Sequence, residues 1–379
     1  MMDYEALRFI WWVLIGVLLI GFVVTDGFDM GVAALLKVIG RNNDERRVMI
    51  NTVAPHWDGN QVWLITAAGA LFAAWPTVYA AAFSGFYLAM MLTLFALFLR
   101  PIAFEYRSKI DNQTWRDRWD WALTVGSTVP AIIIGVAFGN LLQGVPFHFD
   151  DLLRLYYTGS FWGLLNPFAL LVGVFSLLMF VNHGAAYLQL KTDGELLQRA
   201  ERMSQLLGLV AATLFALAGV WLWFGIDGFQ VTGGLDTQAA SRVTVKTVEQ
   251  IPHGWFVNYQ RWPLAWLLPV VTIAGFVGCS VLSKLRRHAL AFVASGLAIA
   301  GTIVTFGLSM FPFIMPSSTT PNHSLTLWDA TASELTLFIM LVVALVFVPL
   351  ILGYTAWSYY VMRGRLNVQH IHDNSNSLY

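Results

Sequence analysis

Long apolar runs separated by short polar stretches dominate this sequence. Nine of them are long enough to cross a bilayer, whose hydrocarbon core takes about 20 residues of helix. They predict helices over 9–36, 48–75, 78–99, 119–142, 161–188, 203–226, 262–283, 288–311 and 335–362, in a single membrane domain covering 1–379. The expected fold class is an all-α integral membrane protein. Its orientation follows from the polar connections. Of 22 lysines and arginines, 17 follow the first, third, fifth and seventh helices or lie in the tail, and 5 lie on the opposite face. Cytoplasmic loops are the cation-rich ones, so the N-terminus is expected outside and the C-terminus in the cytoplasm.

Composition narrows this reading. The chain is 57% hydrophobic and 12% charged, with a mean hydropathy of +0.63. Soluble domains carry about a quarter charged residues, so a soluble fold is excluded. A net charge of zero gives no sign of a nucleic-acid partner. Cys279 is the only cysteine, which rules out an intrachain disulfide and a multi-cysteine metal site. His148, His253 and His323 fall in outer connections without ligand spacing, so no metal is expected. Met1 to Ala6 carries acids and no basic region, unlike a cleaved signal. Haem needs an axial His, Met, Cys or Tyr, and only Met310 offers itself, weakly. Tryptophans and tyrosines near the helix ends, among them Trp75, Tyr79, Tyr359 and Tyr360, read as interfacial anchors. The connection 227–261 reads as a solvated loop. Asp329 or Thr331 is the expected cap of the last helix.

Charged residues inside the apolar runs carry the candidate chemistry. His56-Trp57-Asp58-Gly59-Asn60-Gln61-Val62-Trp63 puts an acid, an imidazole and two amides in the second predicted helix. A charge at the bilayer centre costs about 2.5–3.5 kcal/mol on insertion scales and needs partners or water. On one reading the helix starts only at Val62 and Asp58 caps it at the headgroups. On the other, the apolar Val48 to Val53 behind Arg46 and Arg47 puts Asp58 well over two turns inside. Asp26 and Asp29 share a face near the inner end of the first helix. Arg100 ends the third, Asp117 and Asp120 begin the fourth, and Glu105 and Lys109 stand four apart between them. All belong to the cytoplasmic half. They read as a structural charge cluster of Asp26, Asp29, Arg100 and Asp120, with Arg100 taking Asp29 or Asp120. They read equally as a polar funnel for protons or ions, with Asp58 its deepest acid, and the two readings are compatible. His183 either extends that path or is a hydrogen-bonded packing residue. An ion-coupled membrane transporter is the competing class, since it too wants acids within the membrane.

Several stretches closely resemble subunit II of the cytochrome bd quinol oxidases: Thr25-Asp26-Gly27-Phe28-Asp29-Met30-Gly31, His56 to Trp63, Leu71 to Pro76 with Phe83 to Tyr87, Arg100-Pro101, Phe138 to Leu142, and Phe311 to Ser318. The resemblance runs from the first residues to Ser377-Leu378-Tyr379 and takes in the bd-I and bd-II branches alike. It implies two four-helix bundles plus one peripheral helix, paired with a haem-bearing subunit I of similar fold in a heterodimer. That partner would hold the b-type and d-type haems (heme b and heme d), oxidise quinol outside and reduce oxygen to water. Protons drawn from the cytoplasm would build a membrane potential without a pump. The resemblance further implies a multi-pass protein of the bacterial inner membrane, small single-helix accessory subunits and, in some members, a quinone held structurally in subunit II. A cytoplasmic proton path would map onto Lys109, Glu105, Tyr379 and Asp58. Position 105 is commonly Asp in that family; here Glu keeps the carboxylate and lengthens its reach.

Overall fold

A computed structural model describes residues 3–373. The chain opens with α1 (Tyr4–Ile39), α2 (Asn43–Val53), α3 (Trp57–Ala74), α4 (Pro76–Gly85), α5 (Tyr87–Tyr106) and α6 (Gln113–Gln143). After hairpin β1 (Phe147–Phe149) and β2 (Leu155–Tyr157) come α7 (Pro167–Lys191) and α8 (Gly194–Gly225). Hairpin β3 (Gly228–Gly233) and β4 (Thr247–Ile251) leads to α9 (Val257–Arg261), α10 (Leu267–Lys284) and α11 (His288–Met310). Strands β5 (Phe313–Met315) and β6 (Leu325–Thr326) precede α12 (Glu334–Val361) and α13 (Val368–Asp373). Among the described residues eight helices are long and apolar enough to cross a membrane, and up to nine if the bent pair α3–α4 counts as one span.

Three of the helices start at asparagine caps. Asn42, Asn112 and Asn166 each accept a backbone N–H of the helix that follows, satisfying one of the donors a helix start leaves open. The predicted run 48–75 is not one helix. Pro55 has no N–H to continue the ladder, so α2 ends at Val53 and α3 restarts at Trp57. Asp58 therefore lies in the first turn of α3 and does not cap a helix that starts at Val62. At the far end Trp75 leaves the helical region, at φ −131° and ψ 71°, as a following proline favours. Pro76 then begins α4, and the axis turns by 120°.

Helices α7, α8, α10 and α11 form a ring of neighbours, while α1 packs against α3 and α6, and α6 against α5. The two groups meet along α1–α7 and α6–α7. Gly31 and Gly184 permit the first of these crossings: a Cβ on Gly31 would stand 2.0 Å from the Phe180 carbonyl oxygen, and one on Gly184 2.5 Å from the Gly31 carbonyl carbon. Helix α12 lies to one side against α1 and α3.

The polar connections are more ordered than their sequence suggests. In 227–261, expected as a solvated loop, β3 and β4 pair antiparallel and Lys246 and Trp255 are buried. Lys246 reaches Asp329 at 2.5 Å. Asp329 also accepts from the Thr326 N–H and hydroxyl, and Thr331 accepts from Arg8. Neither caps α12; Ser333 does, accepting from the Thr336 N–H. Arg8 is fully buried, donating to the Thr237 and Ala239 carbonyls at 2.6 and 2.9 Å.

Candidate functional site

The C-terminal ends of α1 and α5 and the N-terminal ends of α3 and α6 gather the acids and cations singled out above. Asp26 and Asp29 lie three apart on α1, and neither has any solvent exposure. Arg100, equally buried on α5, takes Asp26 through two parallel bonds of 2.9 and 2.5 Å, the fork geometry that suits guanidinium and carboxylate. Its expected partners, Asp29 and Asp120, make other bonds. Asp29 accepts from the Asn60 side chain at 2.8 Å, and its second oxygen is buried without a partner. Asp120 takes Arg107 at 2.5 Å and Arg46 at 3.1 Å. Arg107 is seven residues beyond Arg100 on the same helix, a shift of about 10 Å. It, not Arg100, is level with the start of α6. Asp117 completes this network with Arg46 and Lys37.

Asn60 joins the acids of α1 to α12. Its carbonyl accepts from the Tyr359 hydroxyl at 2.6 Å, and His56 stacks on the Tyr359 ring at 4.3 Å. Sequence reasoning missed this line. Asn60 stood in plain view, an amide four residues after His56, but Tyr359 read as an interfacial anchor and nothing local tied it to α3. His183 is a packing residue: its ring nitrogens meet Ser295 at 2.7 Å and the Val24 carbonyl at 2.9 Å. With both nitrogens engaged it offers no axial position to a haem iron. Met310 is buried in an apolar cluster with Phe313 and Trp255. Among the described residues no group of three His, Cys, Asp or Glu could hold a metal ion.

Asp58, expected as the deepest acid, is exposed on the surface of the chain, whereas Asp26, Asp29 and Asp120 are fully buried. The reason is helical phase: Trp57 and Asn60 face inward, so Asp58 faces out. It heads a stripe with Val62, Ile65, Gly69 and Phe72, all exposed. On α5 a second exposed stripe, Leu88, Leu92, Phe95, Phe98 and Ile102, ends at Glu105. Trp57 stacks on Phe104 at 5.4 Å, so Asp58 and Glu105 each directly follow one member of a ring pair that joins the two helices. Lys109 is exposed too, but α5 ends at Tyr106, so the helical four-residue spacing does not extend to it. Tyr379 lies outside the described residues.

A many-helix membrane protein with a charged inner core and two uncovered apolar faces, each ending in an acid, has the form of a subunit rather than a free-standing carrier. The chain belongs to the family of cytochrome bd terminal oxidase subunit II, whose family model matches residues 7–362. It is 57% identical over 379 residues to the cytochrome bd-I ubiquinol oxidase subunit 2 of Escherichia coli K12, covering all of both chains. It is 58% identical over the same length to a probable cytochrome oxidase subunit 2 of Haemophilus influenzae, again covering both in full. Identity to the cytochrome bd ubiquinol oxidase subunit 2 of Bacillus subtilis is 33% over 363 residues, 96% of this chain and 97% of the relative. The fold is similar to a chain of the bd oxidase from Geobacillus thermodenitrificans, with a TM-score of 0.67 at 15% identity, covering 94% of this chain and 99% of that one. The protein is thus a multi-pass inner-membrane subunit of a respiratory cytochrome bd ubiquinol oxidase. Membership implies haem in the complex and a partner subunit I. An ion-coupled transporter is not favoured.

Proposed function

We propose that this chain completes the oxidase by docking its α3 and α5 faces on subunit I and by delivering cytoplasmic protons to that junction through Asp58. The reading takes α1, α3, α5 and α6 as one bundle and α7, α8, α10 and α11 as the other, with α12 peripheral. The N-terminus is outside and the C-terminus inside. The carrying observation is Asp58 itself, an exposed acid at the head of an otherwise apolar stripe. A carboxylate left against lipid is costly. A partner surface would both cover the stripe and meet the acid.

Haems of types b and d, held by subunit I, supply electron transfer and the oxygen-reducing centre when bound. Reducing one oxygen molecule to water consumes four protons, and drawing them from the inside while quinol releases its protons outside makes the reaction electrogenic without pumping. In this chain Lys109 and Glu105 stand at the mouth of the path, and Tyr379 belongs to it by family resemblance. Asp58 then takes a proton from that side and gives it up to the partner. The buried Asp26–Arg100 pair and the Arg107–Asp120–Arg46 network brace the helices that carry these residues. A structural quinone in this chain and small accessory subunits remain part of the family reading.

The test is Asp58→Asn in the assembled complex. The amide keeps the shape and cannot carry the proton. Haem content and assembly should stay near wild type while quinol-driven oxygen consumption per haem falls at least several-fold, and Asp58→Glu should retain more activity than the Asn variant. Equal turnover in wild type and Asp58→Asn would reduce Asp58 to a structural residue.

A further inference from the structure

A cavity of about 460 Å³ opens beside the last turn of α12, between that helix and the flank made by α1, α7 and α11. Val24, Phe28 and Phe292 form its apolar wall, Tyr359 its α12 side, and Lys191 and Arg363 stand at its polar end. The wall is firmly set. Phe28 stacks on Tyr187 at 3.9 Å, and the Tyr187 hydroxyl donates to the Thr52 carbonyl at 2.9 Å. Lys191 gives one N–H to the Met362 carbonyl at 2.8 Å, and the Arg363 guanidinium lies over the Tyr360 ring at 4.0 Å. Among the described residues neither cation has a carboxylate within ion-pair distance.

We propose that this groove is a site for one phospholipid of net negative charge. Its phosphate would lie against Lys191 and Arg363, and its acyl chains would run up between α12 and the α1–α11 wall. The groove and such a lipid are complementary. A groove at the end of membrane helices with aromatic and aliphatic walls excludes a free hydrated anion, which would leave those walls against water. Two cations at its polar end, without acidic partners among the described residues, favour a headgroup phosphate over an uncharged apolar guest, and basic pockets between membrane helices recognise anionic headgroups in this way. The volume lies within the range of small-molecule sites, about 300–1,000 Å³, and the groove is open on its outer side for the rest of the chains.

The site has a consequence for the buried acids of α1. Tyr359 forms one wall and also holds Asn60, which holds Asp29. A lipid seated here braces the last turn of α12 on that line of bonds. The proposal depends on the orientation given above only for the leaflet the lipid comes from.

The test uses the purified oxidase complex, stripped of lipid in detergent and titrated with phosphatidylglycerol, with phosphatidylcholine and inorganic phosphate as separate arms, read by native mass spectrometry. Wild type should retain phosphatidylglycerol through a wash that removes phosphatidylcholine. Arg363→Gln should lower that retention several-fold, Arg363→Lys should restore it, and Lys191→Gln added to Arg363→Gln should abolish it. Inorganic phosphate should neither bind measurably nor displace the lipid. Equal phosphatidylglycerol retention in wild type and Arg363→Gln, equal retention of the zwitterionic lipid, displacement by phosphate alone, or a quinone lost with Arg363 in place of lipid would each overturn the proposal. The readout requires no turnover, so its outcome is separate from that of the Asp58 experiment.

Discussion

Asp26 and Asp29 lie three residues apart on one helix face, yet one takes the guanidinium of Arg100 and the other an amide. The difference sets what each substitution does. Removing one partner of a buried ion pair leaves the other charge uncompensated, at a typical cost of about 3–5 kcal/mol. Arg100→Ala and Asp26→Asn should therefore sharply lower the amount of assembled oxidase, measured as haem per membrane protein, with turnover per assembled haem nearly kept. Full assembly with lost turnover would make the pair part of the proton path. Tyr359→Phe removes one donor from buried Asn60, a loss of about 1–3 kcal/mol, and should show as a lower melting temperature of the complex without loss of haem. The sequence exposed the acids, since charges inside apolar runs cannot be missed. It did not expose the pairing, because two acids on one face are equivalent until the position of α5 is known.

At the scale of elements, most helices were visible as apolar runs and their breaks were not. Pro55 divides what reads as one span, and the Trp75-Pro76 corner redirects the next. The hairpins were invisible because strands of two to six residues are too short to show a clear alternation of apolar and polar positions. The separation of α2 from α3 makes its docking a property in its own right. Arg199 on α8 donates to Glu45 on α2 at 2.5 Å, and the Arg41 N–H donates to the same carboxylate at 2.7 Å. Burial alone would raise the Glu45 carboxyl, but the bonds from Arg199 and from the Arg41 and Asn42 backbone outweigh it and bring it below the usual 4.5. A folded value below the unfolded one means the contribution is complete above pH 4.5 and is lost as pH falls through the lower folded value. Hydrogen exchange along α2 should accelerate across that acid window in wild type, and Glu45→Gln should flatten the dependence. Gly184→Val would drive a branched side chain into the Gly31 backbone, and overpacking of this kind costs about 1–3 kcal/mol or more. It should reduce assembly, whereas Gly219→Ala, at a site with open space around it, should not.

For the whole molecule the uneven covering of its surface matters most. The stripes on α3 and α5 are apolar, as are the exposed Leu206, Leu209 and Leu217 of α8, yet they end in the acids Asp58 and Glu105. If subunit I lies there, Ile65→Asn should lower co-purification of the haem-bearing partner, and Leu209→Asn on α8 should leave it unchanged; equal effects would place the partner elsewhere. Hydropathy marks a residue as apolar without telling lipid from protein, so this division was legible only once the helices had their phases. The rim around Arg8 has a further consequence, one of timing. Arg8 is bonded to a threonine 323 residues further on, and the Trp11 indole to a carbonyl 326 residues away. The first helix out of the ribosome therefore cannot reach its final environment until nearly the whole chain has been synthesised. Until then a cation that ends up wholly enclosed must wait in water or among headgroups. Closure of the rim is a late checkpoint of biogenesis, at which a truncated product with every earlier helix inserted would still be recognisably unfinished.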